Sequence, residues 1–217
     1  MGVAVFLYGK SGSGKSRSLK NFGETEILYV NVENKPLPFR NKFKYTYATH
    51  NIESIKTQLK LMGNANVKTA VVDDVTYLMT DYFITHHRNM KGNASFEMYN
   101  QIADDMYTLV NCIKYELPED VIVYLVMHED TNDYGEISFR TIGKLLNQKV
   151  CLEGMATIVI RCMSDGKKHF FRTRTDGADI TKAPEDMFSE EEIENDLKLV
   201  TETIRDYYGF NKESEEK

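Results

Sequence analysis

One stretch, Gly9-Lys10-Ser11-Gly12-Ser13-Gly14-Lys15-Ser16, restricts what this chain can fold into more than any other. It spells G-x-x-x-x-G-K-S, the phosphate-binding loop. The residues before it, Val3 to Tyr8, are apolar and rich in strand formers, so they read as a buried strand. Those after it, Ser16 to Phe22, contain no breaker and predict a short helix. Strand, glycine loop and helix form the context in which this pattern is a site. Gly9, Gly12 and Gly14 let the backbone curl so that its N–H groups face phosphate oxygens, and the helix adds its positive end. Lys15 is then placed for the β- and γ-phosphates of ATP, and the Ser16 hydroxyl for Mg²⁺.

Such a loop belongs to α/β sheets, and the rest of the sequence supplies the strands. Ile27 to Val32 is the second and ends at Glu33. Phe43, Tyr45 and Tyr47 alternate as a short edge strand. Thr69-Ala70-Val71-Val72-Asp73 ends in an acid where ligands bind in open α/β folds, so Asp73 joins Ser16 as a Mg²⁺ ligand candidate. Val121 to Met127 finishes at His128. Two further strands, Met155 to Cys162 and His169 to Arg174, flank Ser164-Asp165-Gly166 as a hairpin. Between them run helical patterns from Asn51, from Thr76 to Thr85 and from Phe96 to Leu117. Ser189 to Glu192 reads as S-x-x-E, a capping box opening a last helix through Ile193, Leu197, Val200, Ile204 and Tyr207. A single domain is expected over residues 1–210, with residues 211–217 a frayed polar tail.

Composition narrows the setting. The chain has 217 residues, 41% of them hydrophobic, enough for one α/β core. No apolar run approaches the roughly 20 residues of a membrane span. The phosphate loop starts so early that no signal peptide is expected. Cys112, Cys151 and Cys162 form no C-x-x-C pair and read as reduced thiols, so an intracellular, cytoplasmic protein is expected. The net charge of −6 is uneven: residues 185–217 hold 12 acidic and 4 basic side chains, leaving +2 on the body. The body is therefore not acidic enough to exclude nucleic acid.

The order of these features resembles the RecA-like ATPase core, and in particular the small single-domain phage ATPases that act with single-strand annealing systems, together with related phage nucleotide-binding proteins. The features are the loop, a strand ending in Val32-Glu33, Val72-Asp73-Asp74, Met127-His128, and Arg172-Thr173-Arg174 on the hairpin. The resemblance implies an α/β fold: a mostly parallel central sheet flanked by helices, closed by a C-terminal β-hairpin and helix. It implies ATP and Mg²⁺ as ligands and Glu33 as the carboxylate that polarises the attacking water. Asp74, next to the metal acid, is the alternative base. His128 matches the position of a polar γ-phosphate sensor, more often Gln or Asn. Arg172 and Arg174 match a pair that reaches the neighbouring subunit's nucleotide, which requires self-association into a ring or filament.

The same resemblance lets two segments touch single-stranded DNA, here His86 to Asn93 and Asp130 to Lys149. They carry Arg88, Lys91, Arg140, Lys144 and Lys149, with Tyr134 and Phe139 for base stacking. The expected function is an oligomeric ATPase on single-stranded DNA that assists phage-type recombination or annealing, in host cytoplasm if phage-encoded. The alternative is a small nucleoside monophosphate kinase, although the sequence has no arginine-rich lid near residues 120–150.

Overall fold

Residues 1–40, 42–63, 66–89, 92–143 and 146–211 are described by the structure, a computed structural model. Its strands are β1 (Val3–Gly9), β2 (Leu28–Asn31), β3 (Tyr45–Tyr47), β4 (Thr69–Asp73), β5 (Ile122–Thr131), β6 (Ile137–Phe139), β7 (Ile158–Ser164), β8 (His169–Arg172) and β9 (Glu192–Glu194). The helices are α1 (Ile52–Gly63), α2 (Thr76–His86), α3 (Asn93–Asn111) and α4 (Leu197–Tyr207). The sheet order is β3-β2-β4-β5-β1-β7-β8-β9, with β6 hairpinned onto β5. From β3 to β7 every neighbouring pair is parallel, and β8 and β9 add antiparallel partners. The expected mostly parallel central sheet of an α/β fold is therefore present. The loop strand β1 lies between β5 and β7, with β5 separating it from the acid strand β4.

Strand alternation divides the core into two layers. Ala4, Phe6 and Tyr8 pack with Ala70, Val72, Val123 and Leu125 against Ile55, Leu59, Ile102 and Met106 of α1 and α3. Val5, Leu7, Val71, Tyr124 and Val126 face the other way, against Leu19 and Phe22 after the loop and Leu197, Val200 and Ile204 of α4. A strand apolar on both faces is what a parallel sheet covered on both sides requires. Among the described residues no helix is long and apolar enough to cross a membrane.

Three local expectations need correction. Ser189 to Glu192 does not cap a helix: the Thr173 N–H donates to the Glu191 carbonyl, and Glu192–Glu194 pairs with β8 as β9. Covering an open sheet edge wins over a local capping pattern. Helix α4 starts later, its true cap being Asp196, which accepts from the Lys198 N–H at 2.9 Å. The strand expected over His169 to Arg174 ends at Arg172, so Arg174 lies beyond β8, and β9 rather than the hairpin forms the sheet edge. Finally, the stacking role expected of Phe139 does not hold. Residues up to Thr131 extend β5, and Phe139 of β6 is buried, its ring 4.8 Å from Phe6 and 5.4 Å from Tyr8. Phe139 is thus unavailable to stack on a base.

Asp196 also accepts from Asn21 Nδ2, tying α4 to the segment behind the phosphate loop. Asp196→Ala removes the cap and the tie together and should cost about 1–2 kcal/mol, whereas Asp196→Asn, which keeps a capping oxygen, should cost less. Urea denaturation of the two variants checks this ordering.

Candidate nucleotide site

The site gathers at the carboxyl ends of neighbouring strands. Gly9 at the end of β1 lies in register with His128 on β5, and Asn31 at the end of β2 with Asp73 on β4. The glycines of the loop are demanded by different contacts. A Cβ on Gly9 would lie 2.3 Å from the Cys162 carbonyl oxygen of β7. Gly14 adopts φ +104° with the His169 ring against it.

The loop is braced from outside by residues the sequence did not single out. The Ser13 carbonyl accepts from His169 Nδ1 at 2.8 Å and from Cys162 Sγ at 3.2 Å. In a trans peptide the C=O and the following N–H point in opposite directions. Holding the Ser13 carbonyl toward β7 and β8 therefore turns the Gly14 N–H inward, where a phosphate would sit. Cys162 is buried, which pushes its thiol up to about 11, so it serves as a neutral donor. Asn195 Nδ2 donates to its sulfur in turn at 3.3 Å. The helix after the loop is only a 3₁₀ turn, Ser16–Leu19. The cradle thus relies on the loop's own N–H groups more than on a helix end.

Lys15 is 7% exposed, and its Nζ donates to the Gly9 and Lys10 carbonyls, each at 2.8 Å. Burial lowers its pKa from the ordinary lysine value, while Cys162 and the carboxylates of Asp74, Asp73 and Glu129 oppose that shift. Ser16 Oγ donates to Asp73 Oδ2 at 2.9 Å, and Tyr29 Oη donates to the same oxygen at 2.9 Å. The other oxygen, Asp73 Oδ1, is buried with no hydrogen-bond partner among the described residues, as is Ser13 Oγ. Burial, then the neighbouring Asp74 charge, raises the Asp73 pKa above the usual carboxylate range. A buried carboxylate with an open oxygen beside a serine hydroxyl is a donor set that fits a hard divalent cation such as Mg²⁺.

Asp74 is 4% exposed and sits at φ +64°. It is ion-paired with Lys35, and its Oδ1 lies 3.2 Å from His128 Nε2, close but out of hydrogen-bond alignment. Burial alone would raise Asp74, but His128 and Lys35 outweigh it and hold the carboxyl below its ordinary value. The His128 N–H is anchored by Thr76 Oγ1 at 3.0 Å. Glu33 Oε1 is 4.0 Å from His50 Nε2, and His50 Nδ1 is 3.8 Å from Asp81. Arg172 is ion-paired with Asp176 and Glu192, and Arg174 Nη2 donates to the Phe188 carbonyl at 3.3 Å. Both arginines are thus engaged within their own chain.

A buried ionic knot closes the far side of the loop. Arg161 donates to both oxygens of Glu129, at 3.0 and 3.2 Å, and to Asp179 at 3.3 Å. A cleft of about 260 Å³ opens between this knot and Lys10 to Ser13. A second, of about 450 Å³, lies past Arg17 and Asn21 toward His169, Phe170 and Asn195. A larger cleft of about 660 Å³ sits by Thr69, Lys198 and Arg205, at the opposite end of β4 from Asp73, and contains no phosphate-loop residue. Chemistry, not size, marks the site. Of the proposed DNA contacts, Arg88 and Lys149 are exposed, Arg140 lies 3.9 Å from Asp130, and Tyr134 tips the β5–β6 turn at 91% exposure. Lys91 and Lys144 lie outside the described residues.

The chain belongs to the AAA domain family, whose model matches residues 1–185. Membership of this family implies nucleotide binding. No curated protein matches its sequence. Among solved structures it is similar to a KaiC-like protein from the hyperthermophilic archaeon Pyrococcus horikoshii OT3, at 14% identity, with 88% of this chain and 83% of that chain covered and a TM-score of 0.45.

Because the atom facing Gly9 is a backbone carbonyl of a central strand, no side-chain rotation makes room for a methyl there. Gly9→Ala should destabilise the fold by about 1–3 kcal/mol. At Gly12 a Cβ would meet nothing, so Gly12→Ala should bring only the strain of its positive φ. Thermal melts of the two variants test the difference.

Proposed function

We propose that this chain is a Mg²⁺-dependent ATPase that works as an oligomer on single-stranded DNA, assisting phage-type recombination or annealing. The observation carrying the ATPase reading is Asp73, one oxygen held by Ser16 and Tyr29 and the other buried and open. In this reading the loop N–H groups and Lys15 hold the triphosphate, Ser16 and Asp73 hold Mg²⁺, and the nucleoside lies in the cleft past Arg17 and His169. When bound, the ion withdraws charge from the phosphates. Two carboxylates can take the water's proton. Glu33 fits the resemblance, but Asp74 directly follows Asp73 and lies 3.2 Å from His128 Nε2, and we assign it the base role. Arg172 and Arg174 are assigned to a neighbour's nucleotide, which requires each to exchange its present partners for phosphate.

The DNA assignment is supported by exposed Arg88, Arg140 and Lys149 with Tyr134 as a stacking platform. Asp130, Asp133 and Glu136 share the hairpin with Tyr134, so attraction for the backbone falls to those three cations.

Steady-state phosphate release with and without single-stranded DNA at low salt tests the proposal. Wild type should hydrolyse ATP and be stimulated by DNA. Lys15→Ala should lose on the order of 10²-fold or more in turnover, and Arg174→Ala should lose turnover while still binding ATP. Unchanged turnover in Lys15→Ala refutes the ATPase site. Absent stimulation and binding refutes the DNA role, and phosphate transfer to a nucleoside monophosphate would establish a kinase instead.

A further inference from the structure

Lys35 stands out among the charged groups around the site. It lies four residues after Asn31, the last residue of β2, on a turn that Asn31 clasps from both sides: Asn31 Nδ2 donates to the Lys35 carbonyl at 2.8 Å, and the Lys35 N–H donates to Asn31 Oδ1 at 3.2 Å. Asn34 takes φ +50° to complete the turn. The backbone of Lys35 is thus fixed, while its side chain stays 54% exposed and free to swing. Its ammonium sits on Asp74, 5.8 Å from the centre of the Tyr77 ring. Tyr77 in turn packs edge-on against His128, with ring centres 5.6 Å apart.

Lys15 offers a parallel. Its Nζ rests on two loop carbonyls, which a β- or γ-phosphate oxygen would replace. Lys35 likewise rests on a carboxylate one residue from Asp73. Asp74 is nearly buried and its backbone is held in the left-handed region, so it cannot follow Lys35 outward. Of the two ion-paired groups, only the lysine head can move.

We propose that Lys35 is a γ-phosphate-responsive latch: it neutralises Asp74, and a bound triphosphate draws its ammonium onto the γ-phosphate, leaving Asp74 to His128 and the attacking water. The γ-phosphate carries more charge than one carboxylate and offers three acceptor oxygens, so it competes effectively for an ammonium on a flexible stem. The exchange supplies a cation in cis to the phosphate on which charge builds, and it keeps Asp74 paired until a triphosphate is present. A diphosphate lacks the competing group and leaves the latch closed. The proposal rests on the nucleotide site described above.

Calorimetric titration with ADP and with a non-hydrolysable β,γ-imido analogue of ATP, both with Mg²⁺, tests it. Lys35→Ala should weaken the analogue about tenfold, the scale of one hydrogen bond to a charged group, and leave ADP unchanged. Lys35→Arg should retain most of the wild-type affinity. Asp74→Asn should tighten the analogue, because Lys35 no longer has to be released. The double variant Lys35→Ala/Asp74→Asn separates contact from charge masking: it should bind the analogue about tenfold more weakly than Asp74→Asn alone. If it binds as tightly as Asp74→Asn, Lys35 only screens Asp74 and the latch is refuted. Equal weakening of ADP and analogue by Lys35→Ala also refutes it. A wild-type chain that binds neither nucleotide refutes the site itself.

Discussion

The structure is organised around a carboxylate that is costly to bury. Asp73 is 3% exposed, has Asp74 beside it, and receives only two hydrogen bonds from the described residues, both on one oxygen. Removing an ionised carboxylate from water without full compensation costs several kcal/mol. The fold tolerates this because the sheet fixes the carboxylate where a cation and a nucleotide would repay it. The Tyr29 hydroxyl from β2 and the Ser16 hydroxyl after the loop converge on it only because β2, β4, β5 and β1 lie side by side in that order. Strand order, two-sided burial and loop placement all serve this convergence.

The charges around Asp73 are handled by pairing in separate compartments. Asp74 is matched by Lys35 and His128, Glu129 by Arg161, and Lys15 by backbone carbonyls. The Arg161–Glu129–Asp179 knot is almost wholly buried and joins β5, β7 and the segment after the hairpin. Removing one member would leave an uncompensated buried charge, so the knot stiffens the wall that the Cys162 carbonyl and thiol present to the loop. That wall, through the Ser13 carbonyl, aims the amides of the loop.

Much of this was legible in the sequence, because some residues carry their context with them. Gly9 to Ser16 follows an apolar strand, and Val71-Val72-Asp73 is an apolar strand ending in an acid, so both could be placed from neighbouring residues. Lys35, His169 and Cys162 could not. Lys35 reaches Asp74 through a turn that depends on the Asn31 side chain, and His169 and Cys162 meet the loop through a backbone carbonyl more than 145 residues away. No spacing rule encodes such contacts. The misread segments have the same cause. The place of Phe139 in the Asp130–Lys149 segment suggested base stacking, and Ser189 to Glu192 matched a helix cap. In both places a distant strand offered pairing or burial that local pattern did not anticipate.

The central claim is that Asp73 and Ser16 complete a divalent-cation site for a nucleotide on Lys15. Calorimetric titration of ATP into wild type and Asp73→Asn, each with Mg²⁺ and with chelator, tests it most directly. The account predicts that Mg²⁺ strengthens ATP binding to wild type by about tenfold or more, the scale of one good charged contact, and that Asp73→Asn loses this gain while keeping the Mg²⁺-free affinity. Equal Mg²⁺ dependence in the two proteins would contradict the account.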